Sequence, residues 1–226
     1  MIIIFDCDGV LVDSEVLSAR VDAEFLREIG YEITPEELAH RFAGVTTERI
    51  FEIAGEEIAR AVPDDLVRRC EDETDRRLGR EVEAIAGVHD MLDQLDDPRC
   101  ICSNSRAERL KITLSRVDLW DRFRPYVYSA RDVAEGRGKP APDVFLYAAG
   151  EFQTEPADSI VIEDSVAGVT GAAAAGMRVI GFTGASHTWP GHAEALMDAG
   201  ALTVVRRLAD VPGTIEALRQ WRPDQV

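Results

Sequence analysis

Two carboxylates two residues apart, Asp6 and Asp8, stand where the apolar run Ile2-Ile3-Ile4-Phe5 gives way to Gly9. A short, largely β-branched run of this kind has the composition of a strand buried on both faces of a parallel sheet. Ligands of open α/β sheets sit outside the carboxyl ends of the strands, so both aspartates are placed where chemistry is done. Alone, the same spacing before a glycine also describes a turn. Three further groups keep it company. Ser159-Ile160-Val161-Ile162 is a second buried run ending in carboxylates, Glu163 and Asp164, and acidic oxygens at two strand ends suit a hard divalent cation. Cys102-Ser103-Asn104-Ser105 closes a strand over 99–103, and Ser105 with Glu108 has the spacing of a capping box. The free N–H groups of that helix start, with the Ser103 hydroxyl and the Asn104 amide, can bind phosphate. Lys139 precedes Pro140, which holds it on an extended segment just ahead of a helix. Its ammonium could neutralise phosphoryl oxygens there. Taken singly, each group has a plainer role: a capping serine, a solvated surface lysine, acids at a helix start.

The elements that must position these groups follow from periodicity. Leu17, Val21, Phe25 and Ile29 recur every four residues, with Glu15 at the helix start and Gly30 as the C-terminal stop. Pro35 with Glu36 and Glu37 opens a second helix, Thr46-Thr47 caps a third, and Pro63-Asp64-Asp65 begins a fourth bearing Leu66, Cys70 and Leu78. Between residues 14 and 80 no buried strand is evident. Helices and strands then alternate: strands over 99–103, 126–129, 159–163, 178–183 and 202–205, with helices between them. Strands alternating with helices imply a doubly wound parallel sheet covered on both faces. A first strand at 2–6 must join strands that begin about ninety residues later. The α/β fold is therefore expected as a core of residues 1–13 and 84–226, interrupted by an all-helical insertion, 14–83, that sits beside the two aspartates as a lid.

The chain has 226 residues, 46% of them apolar, and a formal charge of −17. That charge argues against nucleic acid or an anionic membrane as partner. No apolar run approaches a membrane span, and with strand and motif already in the first residues no cleavable signal is expected ahead of the fold. Cys7, Cys70, Cys100 and Cys102 include no C-x-x-C pair, so reduced, buried thiols in a cytoplasmic protein are expected.

Together, Asp6-Cys7-Asp8-Gly9-Val10, Ser103-Asn104, Lys139-Pro140-Ala141-Pro142-Asp143 and Glu163-Asp164 resemble, in order and context, the motifs of the haloacid dehalogenase-like phosphohydrolase superfamily. The resemblance implies a role for each position. Asp6 matches the nucleophile, Asp8 the general acid/base, Ser103 and Asn104 the phosphate-orienting pair, and Lys139 the charge-stabilising lysine. Asp164 matches a Mg2+ ligand beside Asp6 and the Asp8 carbonyl, with Glu163 bound directly or one shell out. The helical insertion corresponds to the family's cap. Its break between two helices, around His40, Arg41 and Gly44, carries candidates for substrate contact, although a cation near a helix end is the plainer reading of Arg41. Arg106 shares that ambiguity, and His187 reads as an ordinary loop residue.

The implied activity is magnesium-dependent hydrolysis of a small phosphate monoester, a sugar phosphate or phosphorylated sugar acid, through an aspartyl-phosphate. Dehalogenases lack the second aspartate, and the phosphonate-cleaving branch also departs from D-x-D. Phosphomutases of the β-phosphoglucomutase type share much of the pattern, yet carry an arginine shortly after the cap's Gly-Val, where this chain has Thr46 and Thr47, and a histidine about where it has Ser18. A mutase remains the alternative, a non-catalytic phosphate-binding protein a weaker one. A signalling receiver domain shares the residue types but is much shorter and has no helical insertion. A small phosphorylated metabolite is the expected partner, and a monomer the default state.

Overall fold

The computed structural model describes residues 1–42, 45–133 and 136–220. Strands β1 (Ile2–Phe5), β2 (Arg99–Ser103), β3 (Val127–Ser129), β4 (Ser159–Glu163), β5 (Arg178–Phe182) and β6 (Thr203–Val205) form one parallel sheet in the order β3-β2-β1-β4-β5-β6. Side chains alternate across it as a two-sided sheet requires. Ile3, Phe5, Ile101, Ile160 and Ile162 enter one apolar cluster, while Ile2, Ile4, Cys100, Cys102 and Val161 enter the other. Helices α5 (Val88–Asp93), α6 (Ala107–Arg116), α7 (Trp120–Phe123) and α11 (Val211–Gln220) contribute to the first cluster. Helices α8 (Asp143–Glu151), α9 (Val166–Ala174) and α10 (His192–Asp198) contribute to the second. All four cysteines are free and buried.

The expected strands all form, within a residue or so of their predicted ends. α7 was not legible in the sequence: a four-residue helix is too short to show periodicity. The sheet order places a switch point between β1 and β4, because the chain winds outward from β1 in one direction and returns to start in the other. Phe5 lies opposite Ile162, and the Asp6 N–H bonds the Ile162 carbonyl at 2.9 Å. Asp6 and Glu163 thus emerge side by side.

Helices α1 (Glu15–Glu28), α2 (Pro35–Arg41), α3 (Thr47–Glu57) and α4 (Leu66–Glu81) pack around a separate cluster that includes Val21, Leu26, Phe51, Leu66 and Cys70. Thr34 and Glu37 form a reciprocal capping box at the start of α2, and Thr46 caps α3. The chain leaves the sheet and returns to it at one place. The Asp13 N–H bonds Glu83 O at 2.9 Å, and the Ile85 N–H bonds Leu11 O at 3.0 Å. Among the described residues, no helix is long and apolar enough to cross a membrane.

Candidate active site

At the β1/β4 switch point Lys139, 7% exposed, bridges two carboxylates: its Nζ donates to Asp6 Oδ1 at 2.6 Å and to Glu163 Oε2 at 2.7 Å. A lysine that, taken alone, reads as a surface charge is here inside the protein. Its segment is pinned from across the sheet by Asn104, whose Oδ1 accepts from the Lys139 N–H at 2.8 Å and whose Nδ2 donates to the Lys139 carbonyl at 3.3 Å. The Asn104 amide, expected to face phosphate, is engaged with the lysine backbone.

Asp6, Glu163 and Asp164 bring one carboxylate oxygen each within 4.8 Å of one another, all three buried. Burial and then the neighbouring Glu163 hold the Asp6 carboxyl well above the usual range, against the pull of Lys139. Burial alone would lower Lys139, but Asp6 and Glu163 hold its ammonium above the ordinary value. Three buried carboxylates with one ammonium leave an excess of negative charge, and the donors are all oxygen. That set fits a hard divalent cation such as magnesium. The Asp8 side chain takes no part in it.

Asp8 instead accepts from three hydroxyls: Ser14 Oγ at 2.7 Å, Ser105 Oγ at 2.7 Å and Ser103 Oγ at 3.3 Å. The expected Ser105–Glu108 capping box does not form. Helix α6 begins two residues later, with Arg106 as its N-cap and no side-chain cap bond. The nearby carboxylate is the stronger acceptor for the Ser105 hydroxyl. Ser103 Oγ also accepts from the Ser105 N–H at 3.0 Å.

Close approach explains two glycines. Gly9 has φ +79°, and a Cβ there would lie 1.8 Å from Asp164 Oδ2. A Cβ on Gly168 would lie 2.0 Å from Glu163 Cδ. The small first turn of α9 is what lets Glu163 fold back to accept from the Ser165 N–H and Oγ at 3.1 and 2.7 Å.

His187 corrects the reading from sequence. It is no ordinary loop residue: its Nε2 lies 3.0 Å from Asp164 Oδ2, and it lines the cleft. Burial works against its charged form, but the Asp164 contact raises it to about 9. His192 Nε2 lies 2.7 Å from the Asp164 carbonyl and stacks on Trp189 at 3.7 Å. A histidine in a Gly-Ala-Ser-His-Thr loop has no periodic signal, so only the fold reveals its neighbour.

The cleft over these groups has a volume of about 150 Å³. Its far side is formed by the helical block, with apolar Leu38, Phe42 and Ile50 beside polar Ser18, Asp22 and Thr47. Burial pushes Glu15, with Asp8 adding to it, up to about 7, and burial pushes Asp22 up to about 6. Arg41 is not part of this lining. Its guanidinium pairs with Glu57 and donates to Tyr31 Oη at 2.7 Å, so the candidate substrate contact is a bond within the helical block. Gly44 and the His40 side chain lie outside the described residues. The cationic lining comes from the sheet side: Arg106 and Arg109, paired with Asp75 at 2.8 and 2.6 Å, and Arg131, paired with Glu48 at 3.2 Å. Arg109 and Arg131 carried no sequence signal that separates them from other surface arginines.

Residues 3–182 match the family model of the haloacid dehalogenase-like hydrolases. The chain is 31% identical over 192 residues to a 6-phosphogluconate phosphatase of Escherichia coli, covering 83% of this chain and 85% of that protein. Its fold superposes on a conserved haloacid dehalogenase-like protein of unknown function from Agrobacterium tumefaciens, with a TM-score of 0.89, 49% identity and coverage of 97% and 99% of the two chains. A hydrolase of the same family from Deinococcus radiodurans, solved with bound phosphate and sodium, gives a TM-score of 0.79 at 30% identity, covering 98% and 97%. A buried lysine between strand-end carboxylates, on a sheet whose family model spans most of its length, leads to one assignment: the chain belongs to the haloacid dehalogenase-like hydrolase family.

Proposed function

We propose that this protein is a phosphatase that hydrolyses a small phosphate monoester, with Asp6 as nucleophile and Asp8 as general acid and base. The observation that carries the reading is Lys139 held between Asp6 and Glu163 with Asp164 alongside. One Asp6 oxygen is engaged by the ammonium, which fixes the carboxylate at the strand end. Asp6, Asp164 and the Asp8 carbonyl, with Glu163 directly or through a water, would hold magnesium; when bound, it supplies the positive charge that lets a carboxylate approach a phosphate dianion.

In the first step an Asp6 oxygen forms a bond to phosphorus as the ester P–O bond breaks, and protonated Asp8 gives its proton to the departing alkoxide. In the second, the Asp8 carboxylate takes a proton from water as that water attacks the aspartyl-phosphate, releasing phosphate and restoring Asp6. Hydroxyls both donate and accept, so Ser14, Ser103 and Ser105 can hold Asp8 in either protonation state. Lys139 balances charge on the phosphoryl oxygens throughout.

The helical block, residues 14–83, acts in this reading as the cap that closes over the cleft and keeps bulk water from the intermediate. A leaving group that meets Ser18, Asp22, Thr47 and three arginines is polar and hydroxylated. A sugar phosphate or phosphorylated sugar acid fits that lining, and the activity named for the Escherichia coli relative supports it. Phosphate release from a panel of sugar and sugar-acid phosphates with magnesium, comparing wild type with Asp6→Asn, tests the proposal. Release that needs both the metal and Asp6 is the expected result. Isomer interconversion without release would make the protein a mutase instead, and no reaction at all would leave it a binding protein.

A further inference from the structure

One arginine touches both halves of the cleft. Arg131 follows β3, where its own N–H is anchored on Ser129 Oγ at 3.2 Å. Its Nε donates to the Asn104 carbonyl at 3.2 Å, in the loop that carries Ser103 and Ser105. Its Nη1 donates to Glu48 Oε1 at 3.2 Å, in the first turn of cap helix α3, and lies 3.9 Å from Glu71 Oε1 on α4. Asn104 in turn clamps the Lys139 backbone through both ends of its amide. An unbroken line of polar contacts therefore runs from cap Glu48 through Arg131 and Asn104 to the lysine between Asp6 and Glu163.

We propose that Arg131 is a positioning residue that couples closure of the cap to the geometry of the Ser103–Ser105 loop and of Lys139. With the cap closed, Glu48 fixes the guanidinium in the orientation that holds the Asn104 carbonyl. With the cap open, Glu48 and Glu71 withdraw, and the guanidinium swings toward solvent. The loop then loses one of its anchors, so the groups around Asp6 are completed only when the leaving group is covered. Planarity is what makes arginine suited to this, since a guanidinium presents donors to two acceptors at once and an ammonium does not present them in a fixed fork.

The neighbouring pairs serve differently. Arg106 and Arg109 both meet Asp75 on α4 and, unlike Arg131, make no side-chain bond to the loop backbone or to Lys139 among the described residues. They hold the cap down. Arg131 alone of the three joins that contact to the loop.

The test uses Glu48→Ala, Glu48→Gln, Arg131→Ala and the double variant, with two readouts on each: hydrogen exchange of the 103–106 amides in the ligand-free protein, and steady-state phosphate release. Glu48 lies on the cap, so a purely local role would loosen α3 and leave the loop alone. The expected result is that Glu48→Ala speeds exchange of the loop amides and lowers kcat about tenfold with little change in KM. Arg131→Ala lowers kcat roughly 10–100-fold, Glu48→Gln falls between wild type and Glu48→Ala because it keeps an acceptor, and the double variant is no worse than Arg131→Ala. Loop exchange at the wild-type rate in Glu48→Ala, or losses in the two single variants that multiply in the double, would overturn the coupling. The kinetic arm rests on the phosphatase reading; the exchange arm needs no substrate and decides the coupling even if no ester is hydrolysed.

Discussion

The two ends of the cleft are built by opposite means. At the sheet end, Asp6, Glu163 and Lys139 are at most 7% exposed; the register of β1 against β4 sets the two carboxylates, and Asn104 holds the lysine backbone, with one ammonium among three carboxylates. At the seam with the helical block, Arg106, Arg109 and Arg131 keep 14–33% of their side chains exposed and are held by pairs reaching to helices α3 and α4. Strand register and a held backbone place the first set, and side-chain pairs to the helical block hold the guanidinium ends of the second. The sheet end therefore carries an excess of negative charge, whereas the seam is balanced internally and can be undone pair by pair. Chemistry that never varies suits the first construction, and a leaving group that must enter and depart suits the second.

Substitutions at the sheet end should accordingly cost the most. In the proposed mechanism Asp6→Asn removes the attacking oxygen while keeping the shape, and phosphate release should fall by roughly 10³–10⁵-fold, read in a steady-state assay at saturating magnesium. Chelation of the metal should reduce turnover on a similar scale. Lys139→Met leaves Asp6 and Glu163 buried without their cation; breaking a buried pair from one side costs about 3–5 kcal/mol. Denaturant melts should show that loss in chelator, and magnesium should restore more stability to the variant than to wild type. A smaller effect is expected at Gly168→Ala, where the new Cβ would lie 2.0 Å from Glu163 Cδ. Displacing that carboxylate should destabilise by about 1–3 kcal/mol, and a melt unchanged from wild type would show that Glu163 can move away freely.

An effect of similar size, present only at one end of the pH range, is expected inside the helical block. Asp22 is buried, accepts from Cys70 Sγ at 3.1 Å, and has its carboxyl raised to about 6 by that burial. Between the unfolded value of about 4 and about 6 the folded chain holds a proton that the unfolded chain has lost, so this group's contribution to stability falls as pH rises through that window. Asp22→Asn removes the dependence. The variant should be more stable than wild type by roughly 1–3 kcal/mol above pH 7, with the difference shrinking toward pH 4; melts across that range check it, and a gap that widens in acid would contradict the assignment.

The same contrast explains what the sequence disclosed. Asp6, Asp8, Glu163 and Asp164 were visible because each ends or follows a buried apolar run, and strand ends converge on one side of a parallel sheet whatever the loops do. The four helices of the insertion were visible through caps and periodicity. Pairing across elements was not. His187 reaches Asp164 from a loop with no pattern, Ser105 abandons a plausible helix cap for Asp8, and Arg131 is one of many arginines until β3 carries it beside Asn104. Arg41 shows the converse: its place beside a loop between two helices made it a candidate for substrate contact, while its guanidinium pairs with Glu57 and Tyr31, distant in sequence. Local signals give the frame, and tertiary contacts decide which polar side chains remain for a ligand.

The role of Asp6 as nucleophile is tested most directly by chemical trapping of the intermediate. Enzyme mixed with a hydrolysed ester and magnesium would be quenched in acid during turnover, reduced with borohydride and digested for peptide mass spectrometry. An aspartyl-phosphate at Asp6 predicts residue 6 converted from aspartate to homoserine, in wild type and not in Asp6→Asn. Phosphate release with residue 6 unmodified and another side chain carrying the label would contradict it.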